Sequence, residues 1–344
     1  MRIGRLLIRG SILLGVVVVL AAADTAGADS EGFGPLPARN FQPLQMLVLG
    51  MPGDRAAVLK KGALDVRLDM AVTNVIFNEQ TNPPKFALVR ATMKFETLRS
   101  GLFLRYGLTD RLEVGIEVPA LYRYPGALNG LITATERAAA QMTSTREGLR
   151  QTGFAFNVSK DGRTLFAGGD HELGLGDITV SSKYQMLRQG RLIPAVSMRL
   201  AVKVPSGDDR RLFGSGHTDV GVGLAIEKSL ATSWVVYGNI NGVFPTGHVS
   251  GLALHPVVSG IAAAEYLWSP NLSFVGQFDY YSSTYRNTGI KLLDRGVTEV
   301  ALGFNYRLRN NVLWQLYGIE NVDFITGGAA DFTLSTMLTY RFSR

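Results

Sequence analysis

The chain has 344 residues, 39 glycines, no cysteine and a formal net charge of +7. Without cysteine it can form no disulfide, thiolate metal site, thiol nucleophile or lipid-modified cysteine. The mean hydropathy of +0.12 argues against a polytopic helical membrane protein, and the basic residues form no dense run, which disfavours a nucleic-acid-binding surface.

The N-terminus has the features of an export signal. Arg2, Arg5 and Arg9 precede an uncharged stretch over residues 10–23, and Ala26-Gly27-Ala28 follows it as a small-x-small cleavage pattern. The apolar run is about 14 residues long, short of the roughly 20 that a membrane-spanning helix needs. Residues 1–28 are therefore predicted to be a cleaved signal peptide that takes the protein out of the cytoplasm. No later uncharged run is long enough for a spanning helix, so membrane residence would require a closed barrel.

Residues 29–61 contain four prolines and show no alternation of apolar and polar residues. They are predicted to lie in the periplasm or to thread into the lumen of a barrel as a plug. The sequence favours neither position.

Alternation begins near Ala63 and recurs as far as Phe342. In the first such stretch, one face carries Leu64, Val66, Leu68, Met70 and Val72, and the other carries charged residues. This period of two is typical of strands with one apolar face. Residues 62–344 are predicted to form about twelve strands of roughly 9–14 residues, which is long enough to cross a bilayer when tilted.

The predicted connections alternate between short and long. Short ones fall at positions 109–110, 188–190, near 230, 269–270 and 309–310, whereas long ones fall at 78–90, 124–172, 205–217, 246–256, 284–295 and 322–329. Membrane barrels have short periplasmic turns and long external loops. The predicted fold is therefore all-β: a closed antiparallel transmembrane β-barrel with both termini in the periplasm.

The longest external loop, residues 124–172, is predicted to contain a short helix. Apolar residues recur at helical spacing between Leu128 and Met142. Three positions stay open for this helix: folded into the mouth as a constriction, on the outer leaflet with its apolar stripe in lipid, or packed as an ordinary external loop.

Aromatic residues cluster at the strand ends on the predicted periplasmic side, as in the interfacial girdle of a membrane barrel. The girdle candidates are Tyr106, Tyr184, Trp268, Tyr306, Tyr340 and Phe342. The tail LTYRF also resembles the C-terminal strand signal of Gram-negative outer-membrane proteins, although Ser343 and Arg344 follow it here. That resemblance implies recognition by periplasmic chaperones and the barrel-assembly machinery.

Three stretches resemble a family of proteobacterial outer-membrane barrels known only as a domain of unknown function. They are GPLPARNFQPLQMLVLG (34–50), RYGLTDRLEVGIEVPALYR (105–123) and LGLGDITVSSKYQML (173–187). The resemblance covers most of the mature chain. It implies a barrel in the outer membrane of a Gram-negative bacterium and no particular activity.

The predicted inward face carries charges of both signs, so it does not form a selectivity ring of one sign. The candidates for lining the lumen and contacting solute are Asp65, Arg67, Asp69, Arg105, Glu113, Glu117, Lys183, Arg199, Lys203, Glu227, Asp279, Glu299 and Arg307. Two interpretations are open: an internal ion-pair network that fills and stiffens the barrel, or a polar conduit. About twelve strands can enclose a narrow pore unless something plugs it.

The leading predicted function is passage of small solutes through a porin-like channel, in contact with outer-membrane lipid and without a cofactor, metal or nucleic-acid partner. The alternative is a closed structural or surface-interaction barrel. A lipid hydrolase is a third possibility, because His248 and Ser250 form an H-x-S pair that resembles outer-membrane phospholipases. No asparagine follows until Asn271, so the group that should orient the histidine is missing and no catalytic residue is predicted.

Overall fold

The computed structural model describes residues 31–81, 88–128, 144–322 and 330–343, together with positions 130 and 134. The predicted signal peptide and most of the predicted helix between 128 and 142 lie outside these residues. No helix in the described part of the chain is both long and apolar enough to cross a membrane.

Twelve antiparallel strands form a closed barrel. They are β1 (Leu64–Thr81), β2 (Val89–Gly107), β3 (Leu112–Tyr124), β7 (Ile178–Leu187), β8 (Ala195–Val204), β9 (Asp219–Ala231), β10 (Trp234–Pro245), β13 (Val257–Ser269), β14 (Leu272–Tyr281), β15 (Val297–Arg309), β16 (Val312–Asn321) and β17 (Ala330–Phe342). The barrel closes because β1 pairs with β2 on one side and with β17 on the other, Leu64 lying opposite both Tyr106 and Phe342. The predicted closed antiparallel barrel is thus confirmed.

The remaining elements lie in the connections. They are α1 (Ser144–Gly148), β4 (Ala155–Lys160), β5 (Arg163–Ala167), β6 (Glu172–Leu175), β11 (His248–Val249), β12 (Leu252–Ala253) and α2 (Lys291–Asp294). The long loop after β3 therefore does contain a short helix, α1. It also contains β4, β5 and β6, which the sequence pattern did not predict.

The barrel is polar inside and apolar outside. On β1, Asp65 and Asp69 are buried, while Leu68 is 57% and Met70 51% exposed. A soluble sheet would have the opposite arrangement, with its apolar face covered by a core. An outward apolar face is typical of a barrel whose outer surface contacts lipid.

Short turns lie at one end of the barrel and long loops at the other. The tightest connections at the short-turn end are 232–233, 270–271 and 310–311. At the opposite, long-loop end, β1 and β2 are 18 and 19 residues long and project beyond their neighbours. β2 continues there by pairing with β4 instead of β3. The prediction of a loop over 78–90 was therefore too long, because the β1–β2 ladder reaches Thr81 and Val89.

Residues 31–61, called the N-terminal segment here, lie inside the barrel as two legs joined by a turn. The first leg starts at the short-turn end, where the backbone N–H groups of Phe33 and Gly34 donate to Glu265. The turn lies at the long-loop end, where Gln42 donates to the carbonyl oxygen of Leu292 at 3.1 Å. The second leg returns to the short-turn end, where the N–H of Lys61 donates to Asp110. The chain then enters β1.

An apolar cluster closes the long-loop end over this turn. It combines residues 44–51 of the segment with side chains of β2, of the β4–β5 hairpin and of the loop between β14 and β15. Phe166 and Tyr285, from two of these loops, are 1% and 0% exposed, and their rings meet edge to face at 6.0 Å. Burial of this much apolar surface makes the cluster the main hydrophobic core of the molecule. We call it the cap.

Candidate functional site

The strands place the predicted lumen and girdle residues on opposite faces of the barrel wall. The charged lumen candidates point inward and are buried or half-buried. The six girdle candidates point outward at the short-turn end and are 38–67% exposed. The rings of Tyr340 and Phe342 touch, with centroids 4.4 Å apart.

Asp54 connects the N-terminal segment to three strands of the barrel wall. Its carboxylate lies 2.9 Å from Arg105 and 3.2 Å from Lys183, on β2 and β7. Its backbone N–H and carbonyl both bond to the side-chain amide of Asn239, on β10. Asp54 therefore joins the segment to both sides of the barrel wall.

Two wall carboxylates hold the lower parts of the two legs, which are the parts near the short-turn end; the parts near the long-loop end are called the upper parts. Glu227 pairs with Arg55 at 2.7 Å and accepts the backbone N–H of Ala56. Glu265, which is completely buried, accepts from the first leg and also from Tyr237, Ser273 and Asn305 on neighbouring strands. A buried carboxylate with this many donors is fully satisfied, and it fixes the start of the segment.

The upper part of the second leg is held in the same manner. Lys203 donates to the carbonyl oxygen of Leu47 at 2.7 Å and pairs with Asp177 and Asp219. Asp219 in turn accepts the N–H of Leu49 at 2.7 Å. Arg199 donates to the carbonyl oxygen of Pro52. The wall thus binds mainly backbone atoms of this leg.

Other lumen candidates pair around the first leg or at the short-turn end. Arg39 of the segment lies 3.0 Å from Glu117, which also pairs with Arg99. Arg99 reaches Asp69 at 2.7 Å as well. At the short-turn end Asp65 forms two hydrogen bonds with Arg341, and Glu113 accepts the N–H of Leu59.

A cavity of about 180 Å³ lies at the short-turn end, between the legs of the segment and the wall. Among the described residues, seven cationic side chains and four carboxylates line it. Its arginines include Arg307, whose guanidinium lies over the ring of Phe33 at 4.7 Å, and Arg67, whose Nε is buried without a partner. We call this cavity the vestibule. The vestibule is polar, and its lining carries an excess of positive charge.

Uncharged polar residues of the wall were not among the sequence candidates, yet they make several of the segment contacts. Asn239, Asn241 and Asn305 each donate to a backbone carbonyl of the segment. All three occupy inward positions of their strands, so the same alternation could have found them. The three asparagines are missing from the predicted lumen residues because those were chosen by charge alone.

His248 and Ser250 lie in the β11–β12 hairpin, in the connection between β10 and β13. They take no part in the lumen contacts described above. Ser250 occupies the turn with a φ of 54°, and the backbone carbonyl of His248 accepts from Nε2 of His217 at 3.1 Å. No hydrogen bond joins the two side chains in the described part of the chain. Within that part, no group of three or more His, Cys, Asp or Glu residues is arranged to hold a metal ion.

The barrel is similar to solved membrane barrels. An outer membrane channel from Pseudomonas putida F1 matches with a TM-score of 0.56 at 14% identity, covering 85% of this chain and 99% of that one. The NanC porin matches with a TM-score of 0.45 at 11% identity, covering 82% of this chain and 100% of that one. At such low identity the first match supports the fold alone.

No protein with a curated description matches the sequence. A family model does match, over residues 10–342, and it confirms the predicted resemblance to an uncharacterised family. The chain belongs to the family described as "Protein of unknown function (DUF3187)".

Proposed function

We propose that this protein is an outer-membrane channel for small polar solutes, whose lumen is closed by its own N-terminal segment and opens when that segment moves. The apolar outer face of the barrel is suited to lipid, and the predicted signal peptide would deliver the chain beyond the cytoplasm. The fold is shared with an outer membrane channel. In this arrangement the short-turn end and both ends of the segment face the periplasm.

The observation that carries the proposal is the way the wall holds the segment. Glu227, Glu265 and Lys203 each bond to backbone atoms of a segment that has no strand or helix of its own, and Glu227 also pairs with the side chain of Arg55. Water and polar solutes can replace such bonds at little net cost, because folding already exchanges water for protein partners. The charged face is therefore both an internal network and, once the segment moves, the lining of a polar conduit.

The cap favours a second candidate, the closed structural or interaction barrel. Its apolar core joins the segment to loops that would face the exterior, and moving those buried side chains would be costly. A barrel that never opens would use this end as a rigid external surface. The two candidates differ in whether the segment can leave the lumen.

An engineered disulfide tests whether the segment must move. A Cβ at position 221 would lie 3.4 Å from Cγ of Met51, and a disulfide places the Cβ of one cysteine about 3 Å from the sulfur of the other. The chain has no cysteine of its own, so Gly221→Cys with Met51→Cys can form one intramolecular disulfide only. Leu49 has to shift slightly, since its Cδ2 would lie 2.8 Å from the new Cβ.

Single-channel current would be recorded from the mature double variant in planar bilayers, oxidised and then reduced. We expect current from the reduced protein and the wild type, and its loss on oxidation. The two single variants control for the substitutions and should not respond to oxidant. Equal current in both redox states would reject movement of the second leg, and silence of every variant would favour the closed barrel.

A further inference from the structure

Asp279 and Glu299 differ from the other buried acids of the lumen. They are direct cross-strand partners on β14 and β15 and face inward, with exposures of 0% and 2%. Directly opposed residues of an antiparallel pair have Cβ atoms about 4.5–5.5 Å apart. The two carboxyl groups therefore share one small region of the wall, near the long-loop end.

These two acids have no cationic partner among the described residues. Asp54, Asp65, Asp69, Glu113, Glu117, Asp177, Asp219 and Glu227 each form at least one ion pair. Glu265 has no ion pair either, but it accepts from three side chains and two backbone N–H groups. Asp279 accepts only from the side-chain amide of Gln277, at 3.0 and 3.1 Å, and Oε2 of Glu299 has no partner. Arg39, the nearby cation of the segment, is bound to Glu117. Two buried negative charges without compensation are strongly unfavourable.

Further oxygen atoms around the pair are also buried without partners. Oε1 of Gln277 belongs to the amide that touches Asp279, and Gln277 is 3% exposed. The hydroxyl of Tyr281, two residues along the inward face of β14, and Oδ1 of Asn321, the cross-strand partner of Glu299, are unsatisfied as well. Buried polar atoms in native proteins are nearly always paired. The five side chains together offer two carboxylates, two amide oxygens and one hydroxyl as ligands, and Nδ2 of Asn321 is buried without a partner as well.

We propose that Asp279 and Glu299 form a binding site for a calcium ion, completed by the oxygens of Gln277, Tyr281 and Asn321. Two carboxylates balance the charge of one divalent cation, and carboxylate and amide oxygens are the ligands that hard cations prefer. Calcium fits better than magnesium, because it accepts irregular sets of six to eight oxygens, whereas magnesium demands a near-ideal octahedron. Water would supply the remaining ligands.

The ion would brace the wall beneath the loop between β14 and β15. The same loop receives the side chains of Gln42 and Gln45 through the carbonyl oxygens of Leu292 and Arg295. Calcium at this position would therefore stabilise the long-loop end of the barrel. The site does not depend on whether the barrel conducts.

Calorimetric titration of the mature protein tests the site, after a chelator has removed bound metal and been washed out in detergent. We expect CaCl2 to bind with a stoichiometry of one per chain and to raise the thermal midpoint, and MgCl2 to bind at least tenfold more weakly. Glu299→Gln and Asp279→Asn should each weaken calcium binding at least tenfold. Glu147→Gln, which removes an exposed carboxylate from α1, is the matched control and should bind as the wild type does.

A second measurement separates a cation site from a pair of carboxyls that share a proton. Glu299→Gln removes one uncompensated charge, so without calcium the variant should be at least as stable as the wild type, and calcium should no longer raise its midpoint. No calcium heat and no shift in the wild type would overturn the proposal. A shift of equal size in the wild type and in Glu299→Gln would overturn it too, because the ion would then act elsewhere.

Discussion

Gly53 lies against the carbonyl oxygen of Leu36, so close that a Cβ at position 53 would come within 2.7 Å of that oxygen. The two legs of the N-terminal segment therefore touch inside the barrel, beside Gln277 of the wall. A glycine is needed at this point because any side chain would separate the legs. The contact also shows where the upper part of the segment can be removed without stretching the chain.

We predict that replacing residues 37–52 with two glycines opens the lumen. The variant keeps the contacts of the first leg with Glu265 and those of Arg55 with Glu227, so the lower parts of the legs stay anchored. It loses the turn and the part of the second leg that Lys203 and Arg199 bind. Planar-bilayer recording should show a steady current that is larger than that of the full-length mature protein.

Assembly has to be checked in parallel, because the excision removes Leu44 and Leu47 from the cap. Strand content by circular dichroism and retention of the folded form on unheated gels should match the full-length protein. A folded variant without current would show that the β4–β5 hairpin and its neighbouring loops block the mouth by themselves.

We expect Asp54→Asn to loosen the segment and to lower the free energy of unfolding. Arg105 loses its shortest carboxylate contact, at 2.9 Å, and Lys183 loses one of its two, at 3.2 Å. Both keep Glu113, at 3.6 and 3.1 Å. Leaving buried cations incompletely paired costs about 1–3 kcal/mol. Urea titration in detergent measures the loss, and faster proteolysis within residues 31–61 would report the loosening. Glu31→Gln is the control: its side chain is 75% exposed, so a change of less than about 0.5 kcal/mol is expected.

The strand faces could be predicted from the sequence, whereas the position of the N-terminal segment could not. Lipid outside and water or polar groups inside impose one apolar face on every strand, and Leu302 and Asn305 show it on opposite faces of β15, at 65% and 0% exposure. The segment has no such period. The wall binds largely its backbone, as Glu265 binds the N–H groups of Phe33 and Gly34, and backbone groups leave no trace in a sequence.

The alternation of apolar and polar residues also failed to predict the strand where both of its faces are covered. Asn74, Val75 and Ile76 are consecutive buried residues of β1, at 0%, 1% and 8% exposure, because loops cover its projecting end. Alternation ends there, and the predicted loop was placed from position 78 onward, although the β1–β2 ladder continues to Thr81 and Val89. The position of Asp279 directly opposite Glu299 could not be predicted either, since it depends on the register between two strands.

The cost of an outward charge should depend on its depth in the bilayer. Leu302 lies in the middle of β15 and is 65% exposed, while Leu308 on the same face lies beside the short turn and is 51% exposed. We expect Leu302→Arg to destabilise the barrel by about 2–4 kcal/mol and Leu308→Arg by less than about 1 kcal/mol. Unfolding equilibria in lipid vesicles measure both. Equal costs would contradict the assignment of a membrane-embedded band around Leu302.

The vestibule should make the opened channel prefer anions. Seven cationic side chains face four carboxylates in the described lining of this cavity, and Asp65, Asp54 and Glu113 are already bound to cations of the wall. Clefts lined with an excess of one charge concentrate ions of the other sign. Arg67 has a buried Nε without a partner, and its closest carboxylate contact, to Asp65, is 3.6 Å long. It is therefore the cation that an entering anion can bind with the least rearrangement.

The reversal potential of the variant lacking residues 37–52, in a KCl gradient, measures this preference. We expect chloride to be favoured over potassium, and Arg67→Gln to bring the permeability ratio roughly a third of the way to unity, because one of the three excess charges disappears. Arg188→Gln removes an exposed cation at the β7–β8 turn and should leave the ratio unchanged. Cation selectivity in the opened channel would show instead that the wall carboxylates released by the excised residues, such as Asp219, dominate the field along the lumen.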